Sequence, residues 1–174
     1  MSLTQGQSVG LQPLAVASPS RLQEGRRQMA ERCEKAARAM MAEAGVKEWI
    51  IHNNGLRGRA SVRARRIRTP PPTTRRRLYI LAHECGHVAL VHLRAKKPSH
   101  RQEYEAEVYA HDALRRHGIA VPKASTEEAK CYVARKIRQA ILRGAKHVDR
   151  EALAWSREFI SWEVKRWLAH HNQK

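Results

Sequence analysis

Acidic residues are scarce in this chain: 16 Asp and Glu stand against 34 Lys and Arg, for a formal charge of +18 with His neutral. A field of that sign favours polyanionic partners, whether nucleic acid, an acidic protein surface or an anionic membrane face. Aromatic residues are few as well. The C-terminal group Trp155, Phe159, Trp162 and Trp167 has the spacing of helical core positions, which speaks against a base-stacking platform. The 3 cysteines, Cys33, Cys85 and Cys131, are odd in number and far apart, which excludes a disulfide framework and a cysteine-based zinc site and fits a reducing compartment. No apolar run is long enough to span a bilayer, and Met1 to Ser20 lacks the basic start and apolar centre of a signal peptide. A cytoplasmic protein with no membrane partner is expected.

The 174 residues suffice for one compact domain with tails. Residues 1–19, rich in Ser, Gln, Gly and Pro, read as a disordered leader, followed by a main domain over 20–122 and a helical extension over 123–174 packed on the same core. Ser20 with Gln23 forms a capping-box pattern, and Met29, Cys33, Ala36, Met40 and Ala44 recur at helical spacing until Gly45. Trp49 to His52 then reads as a strand, Asn53-Asn54-Gly55 as a turn and Gly58 to Arg68 as a second extended stretch. In that stretch Val62, Ala64 and Arg66 alternate with Arg63, Arg65 and Ile67, and the pattern does not decide which face is buried. After Pro70-Pro71-Pro72, Thr73 or Thr74 can cap a helix. Arg75, Arg76 and Arg77 lie in its first turn, where like charge meets the helix dipole, so intramolecular carboxylates or solvation are expected around them. A second helix should run from Ser99 or His100 to Arg116, a third from Ser125, with Glu128 as capping partner, to Gly144, and a last from Asp149 through Trp167. The fold class expected is α+β and mostly helical, with a small antiparallel sheet packed on a helix pair and additional C-terminal helices.

Chemistry enters at His83-Glu84-Cys85-Gly86-His87. Two imidazoles four residues apart on a helix share a face and can grip one Zn²⁺, and the intervening Glu84 can act as general base on a water polarised by that metal. Apolar flanks, Leu78 to Ala82 before and Val88 to Val91 after, place the motif on a buried helix, where unmated His and Glu side chains would be costly. A catalytic zinc needs a third protein ligand. His92, His100, Glu103, Glu105, Glu107 and His111 are the candidates. Helical projection turns His92 away from the His83/His87 face, and a third His six residues after the second is ruled out by Leu93. On the helix over 99–116, Glu103 and Glu107 stack near the apolar side while Glu105 points to a flank. Glu103 is therefore favoured as ligand and Glu107 as acceptor for a ligand imidazole, with Glu105 the alternative ligand.

The run Leu81-Ala82-His83-Glu84-Cys85-Gly86-His87-Val88-Ala89-Leu90, followed by Glu103-Tyr104-Glu105-Ala106-Glu107-Val108-Tyr109-Ala110, resembles the paired signature of the ImmA/IrrE-type metallopeptidases. The likeness covers about residues 75–115. In that family a His-Glu-x-x-His helix precedes a helix reading Glu-x-Glu-Ala-(Asn/Asp)-x-Phe-Ala. Here Glu107 stands for Asn or Asp and Tyr109 for Phe, and residues from about Ser125 onward have no counterpart. The resemblance implies a zincin-like domain over 20–122, Zn²⁺ held by His83, His87 and Glu103, and Glu84 as the catalytic base. It further implies hydrolysis of a peptide bond in a specific cytoplasmic protein, such as a DNA-bound regulator, with the Arg-rich extended segment as an edge strand. Tyr109, His111 and His117 are candidate transition-state donors, and the Arg63–Arg68 segment a candidate rail for substrate strand addition. Two rivals remain. One is a basic nucleic-acid-binding protein with a structural or vestigial zinc site, whose footprint would be Arg63–Arg68, Arg75–Arg77, Arg135, Lys136, Arg138 and Arg143. The other is a basic helical protein with a chance match that binds no metal.

Overall fold

The computed structural model describes residues 20–93 and 97–171; the leader over 1–19 lies outside the described residues. Helix α1 (Arg21–Ala44) begins at the capping box, with Ser20 and Gln23 each accepting from the other's backbone N–H, and ends at Gly45 in the left-handed conformation (φ 67°). Three strands follow: β1 (Glu48–Ile51), β2 (Arg59–Ser61) and β3 (Arg66–Thr69). Helix α2 (Arg75–Ala89) carries the His-Glu-x-x-His motif, capped by the Thr74 hydroxyl, which accepts from Arg77 N. Next come α3 (Ser99–Arg116), α4 (Lys123–Leu142), α5 (Arg150–Trp155) and α6 (Trp162–His171). The fold is thus α+β and mostly helical.

The sheet order is β1-β3-β2, with β1 parallel and β2 antiparallel to β3. This corrects the all-antiparallel sheet. Asn53-Asn54-Gly55 is not the tip of a hairpin between neighbours, because its strand partners lie on opposite edges with β3 between them. Nor does the stretch Gly58–Arg68 run straight. Val62–Arg65 is a turn in which Arg65 takes φ 49°, so the alternation breaks there and Ile67 and Thr69 become the inward residues of β3. Two sets of hydrogen bonds hold Arg65 in this unusual conformation. Its carbonyl accepts from Lys47 N at 2.7 Å, and its guanidinium donates to Gly45 O at 2.6 Å and Ala44 O at 3.2 Å. The cation therefore serves the carbonyl end of α1, whose last turn has no basic residue of its own. Arg66 in β3 pairs with Glu48 across to β1.

Helix α2 is the hub. Leu78, Leu81, Ala82 and Cys85 are fully buried against α1, α3 and the sheet, together with Met40 of α1, Ile67 of β3 and Leu114 of α3. Gly86 lets α2 and α3 pack tightly: a Cβ there would lie 3.1 Å from the Ala106 backbone and from Tyr109 Cβ. Leu78→Ala, in the centre of this cluster, is expected to cost about 2–5 kcal/mol of unfolding free energy, measurable by denaturant titration. Helices α4 to α6 build a second apolar cluster around Val133, Ile137, Ala152 and Val164, joined to the first through Trp155.

Two further expectations are corrected here. Helix α4 starts at Lys123 rather than Ser125, and Ser125 is a buried first-turn residue, not the cap. The last helix is broken. Helix α5 stops at Trp155, where the buried Ser156 hydroxyl turns back to donate to Ala152 O at 2.8 Å, and a short 3₁₀ turn over 157–159 precedes α6. Among the described residues no helix is long and apolar enough to cross a membrane.

Candidate metal centre

Helical spacing places His83 and His87 on the face of α2 that meets α3, and Glu103 projects from the first turns of α3 toward them. Three donor atoms converge. His83 Nε2 and His87 Nε2 are 3.1 Å apart, and Glu103 Oε2 lies 3.5 Å from the first and 3.4 Å from the second. Donors bound to a tetrahedral zinc at about 2.0–2.1 Å are separated by about 3.3–3.4 Å, so this triangle has the size of one face of such a site. The group His83, His87 and Glu103 can hold a metal ion.

The surroundings orient each donor. Glu103 directs Oε2 to the imidazoles and Oε1 to Tyr132 Oη (3.3 Å) and Lys136 Nζ (3.1 Å) on α4. Glu107 sits one turn further along α3, with Oε1 3.1 Å from His83 Nδ1, at ion-pair distance though off the line of a straight hydrogen bond. Its Oε2 accepts from Tyr79 Oη at 2.5 Å. On the other side, His87 Nδ1 lies 2.9 Å from His92 Nδ1, and His92 Nε2 lies 2.9 Å from Glu105 Oε2. Lys97 and Arg101 hold Glu105 in turn. Both imidazoles thus show Nε2 to the centre; His87 Nδ1 has a hydrogen-bond partner in His92, and His83 Nδ1 faces the Glu107 carboxylate.

Charge supports the same reading. Burial would raise the Glu103 carboxyl, but the imidazoles of His83 and His87 hold it well below the usual carboxylate range. Glu107 behaves alike: burial works against its ionisation, and His83 and Tyr79 outweigh it. Glu84 is different. Its burial raises the carboxyl above its ordinary value in spite of His83 and His87. The nearly closed cluster holds Glu84, Glu103 and Glu107 against two imidazoles, a balance that suits a bound cation. The donor set, two imidazole nitrogens and one carboxylate oxygen, is one that divalent transition metals, zinc among them, accept. Burial and the Glu84 charge push the Cys85 thiol up to about 12, so it stays protonated within the core and adds no ligand.

Glu84 lies beneath Gly58, the residue leading into β2. A Cβ at Gly58 would overlap the Glu84 side chain, so a larger residue there would have to push Glu84 aside. Beside this point a cleft opens. Two adjoining cavities of about 760 and 960 Å³ share Gly58, His83, Glu84 and Tyr132, with β2 and the loop before it as one wall and α4 as the other.

The structure therefore brings Glu84, His83, His87, Glu103 and Glu107 together. Glu105 is turned to the flank, engaged with His92, Lys97 and Arg101, and is not a donor to the centre. His100 is buried elsewhere, accepting from Asp149 N. Of the three candidate transition-state donors, His117 pairs with Glu43 and His111 with the Glu107 carbonyl and Thr126, while Tyr109 packs beneath Arg116. None of them lines the cleft; Tyr132 does. Sequence reasoning missed Tyr132 and gave Lys136 only to a nucleic-acid footprint; the two lie one turn apart on a helix with no motif. It also misplaced His92: α2 ends at Ala89, and Val91 in the left-handed region (φ 51°) folds His92 back onto His87, so helical projection does not apply to it. His92→Ala is expected to weaken zinc binding by about 10–100-fold, read by competition with a chelating indicator.

β3 is paired on both sides and cannot accept a further strand, so Arg66–Arg68 cannot serve as a rail; it is β2 whose outer edge borders the cleft. Arg76 meets Glu128 at 2.6 Å, an intramolecular carboxylate as expected. Comparison of the chain with protein-family models, with curated proteins and with solved structures gave no match.

Proposed function

We propose that the protein is a zinc-dependent metalloendopeptidase acting on a protein substrate in the cytoplasm. The observation that carries the reading is the triangle of His83 Nε2, His87 Nε2 and Glu103 Oε2 with Glu84 beside it, at the centre of a cleft bordered by the outer edge of β2, unpaired among the described residues. A purely structural zinc site has four protein ligands and needs no base. Among the described residues this cluster offers three, and the Glu84 carboxylate in the same cleft supports the reading of a base.

Zinc in this site would supply Lewis acidity, acidifying a water and polarising the scissile carbonyl. Glu84, raised above its ordinary value by burial, is suited to take the proton from that water and return it to the leaving amine. Tyr132 Oη lies on the cleft wall and would donate to the developing oxyanion by exchanging its hydrogen bond to Glu103 Oε1 for that one. The β2 edge would hold the peptide backbone extended by strand addition. The resemblance to ImmA/IrrE-type metallopeptidases points the same way, and a DNA-bound regulator is the substrate it suggests.

The nucleic-acid-binding reading has less support. Arg65, Arg66, Arg76 and Arg138, all in its expected footprint, are engaged within the fold by the α1 terminus, Glu48, Glu128 and Glu163. The test is to incubate the zinc-loaded full chain with a mixed peptide library and sequence the new termini by mass spectrometry. Cleavage that stops with a chelator and returns with zinc is expected. A fully zinc-loaded protein that cuts nothing would contradict the proposal.

A further inference from the structure

The cleft walls carry an excess of cations that the fold does not neutralise. On the strand side stand Arg57 and Arg59, and on the α4 side Arg135 and Arg143. All four are exposed, and among the described residues none is within ion-pair distance of a carboxylate. Most of the neighbouring basic residues differ: Arg66, Arg76, Lys97, Lys136 and Arg138 each have an acidic partner. The four are also distributed across the centre. Arg57 and Arg135 line the cavity on one side of Glu84 and Tyr132, and Arg59 and Arg143 the cavity on the other. A chain lying along β2 would pass unpaired guanidinium groups before and after the bond held at Glu84.

We propose that the cleft selects an extended acidic peptide, with Asp or Glu side chains on both sides of the bond at the centre, met by Arg57 and Arg135 on one side and by Arg59 and Arg143 on the other. This rests on the peptidase reading of the site. Arginine suits the task because its planar guanidinium pairs bidentately with carboxylates. A peptide is favoured over a nucleic acid because the β2 edge offers backbone hydrogen bonds that a phosphodiester chain cannot pair with as a strand.

The test uses the full zinc-loaded chain and two rhodamine-labelled decapeptides that differ only in Glu or Gln at alternate positions. Binding is followed by fluorescence anisotropy at low and moderate salt, and cleavage by mass spectrometry. The Glu peptide is expected to bind about tenfold more tightly at low salt, with a smaller margin at moderate salt. Arg59→Gln with Arg143→Gln should remove most of that margin, whereas Arg26→Gln with Arg150→Gln, an equal charge change outside the cleft, should leave it. Equal binding of the two peptides would overturn the proposal, as would a margin lost equally in both double variants. Tighter binding of a single-stranded oligonucleotide, dependent on Arg59 and Arg143, would overturn it in favour of nucleic acid. Cleavage without charge preference would overturn it and leave the peptidase reading standing. Charge-selective binding without any cleavage would leave the groove for acidic peptides and remove the peptidase.

Discussion

Glu84→Gln is expected to retain a full complement of zinc and to hydrolyse peptides about 10²- to 10⁴-fold more slowly than the parent chain, the usual loss when a positioned general base is removed. Glu84 lies beside the three donor atoms without being one of them, so the metal site should survive. The substitution is close to isosteric, which matters because Gly58 packs directly on this side chain and leaves no room for a larger one. A neutral amide can still hydrogen-bond in the pocket but cannot accept a proton from water. Turnover equal to that of the parent would remove Glu84 from the chemistry. Loss of zinc together with turnover would make it part of the metal site instead.

The second large effect separates the two acids of α3. Glu103→Ala removes the carboxylate oxygen that, among the described residues, faces both imidazoles, at 3.5 and 3.4 Å. It should lower zinc affinity by several orders of magnitude, because two imidazoles alone make a weak and open site. Glu105→Ala removes a group that touches His92, Lys97 and Arg101 but no ligand atom. Its effect should stay within about 10–100-fold, transmitted through the orientation of His92 and then His87. Isothermal titration of the two apo-variants with zinc gives the ranking directly. A larger loss for Glu105→Ala than for Glu103→Ala would overturn the assignment of the third ligand.

The elements whose signals are local were legible in the sequence. The Ser20 capping box, the Gly45 terminus, the Thr74 cap and the span of α3 follow from residue types within one or two helical turns, and the structure has them. The pairing of His83, His87 and Glu103 was legible for a similar reason: each helix shows its apolar side, and the facing residues follow from projection. What was not legible depends on contacts distant in sequence. The mixed sheet follows from Arg65 turning the chain at the carbonyl end of α1, a tertiary contact between residues 20 apart. The break after Trp155 comes from the buried Ser156, a residue that reads as neutral in a helix until its surroundings are known. Tyr132 and Lys136 reach Glu103 only because α4 folds across α3, and His92 reaches His87 only because Val91 adopts a left-handed turn.

The central claim is a zinc centre made by two imidazoles and one carboxylate, and zinc X-ray absorption on the untagged protein, with metal content determined on the same sample, tests it most directly. About one zinc per chain is expected, in a first shell of nitrogen and oxygen at about 2.0–2.1 Å with the outer scattering of two imidazoles and no sulfur. A chain that takes up no zinc when it is offered, or a shell containing the sulfur of Cys85 or Cys131, would contradict the account.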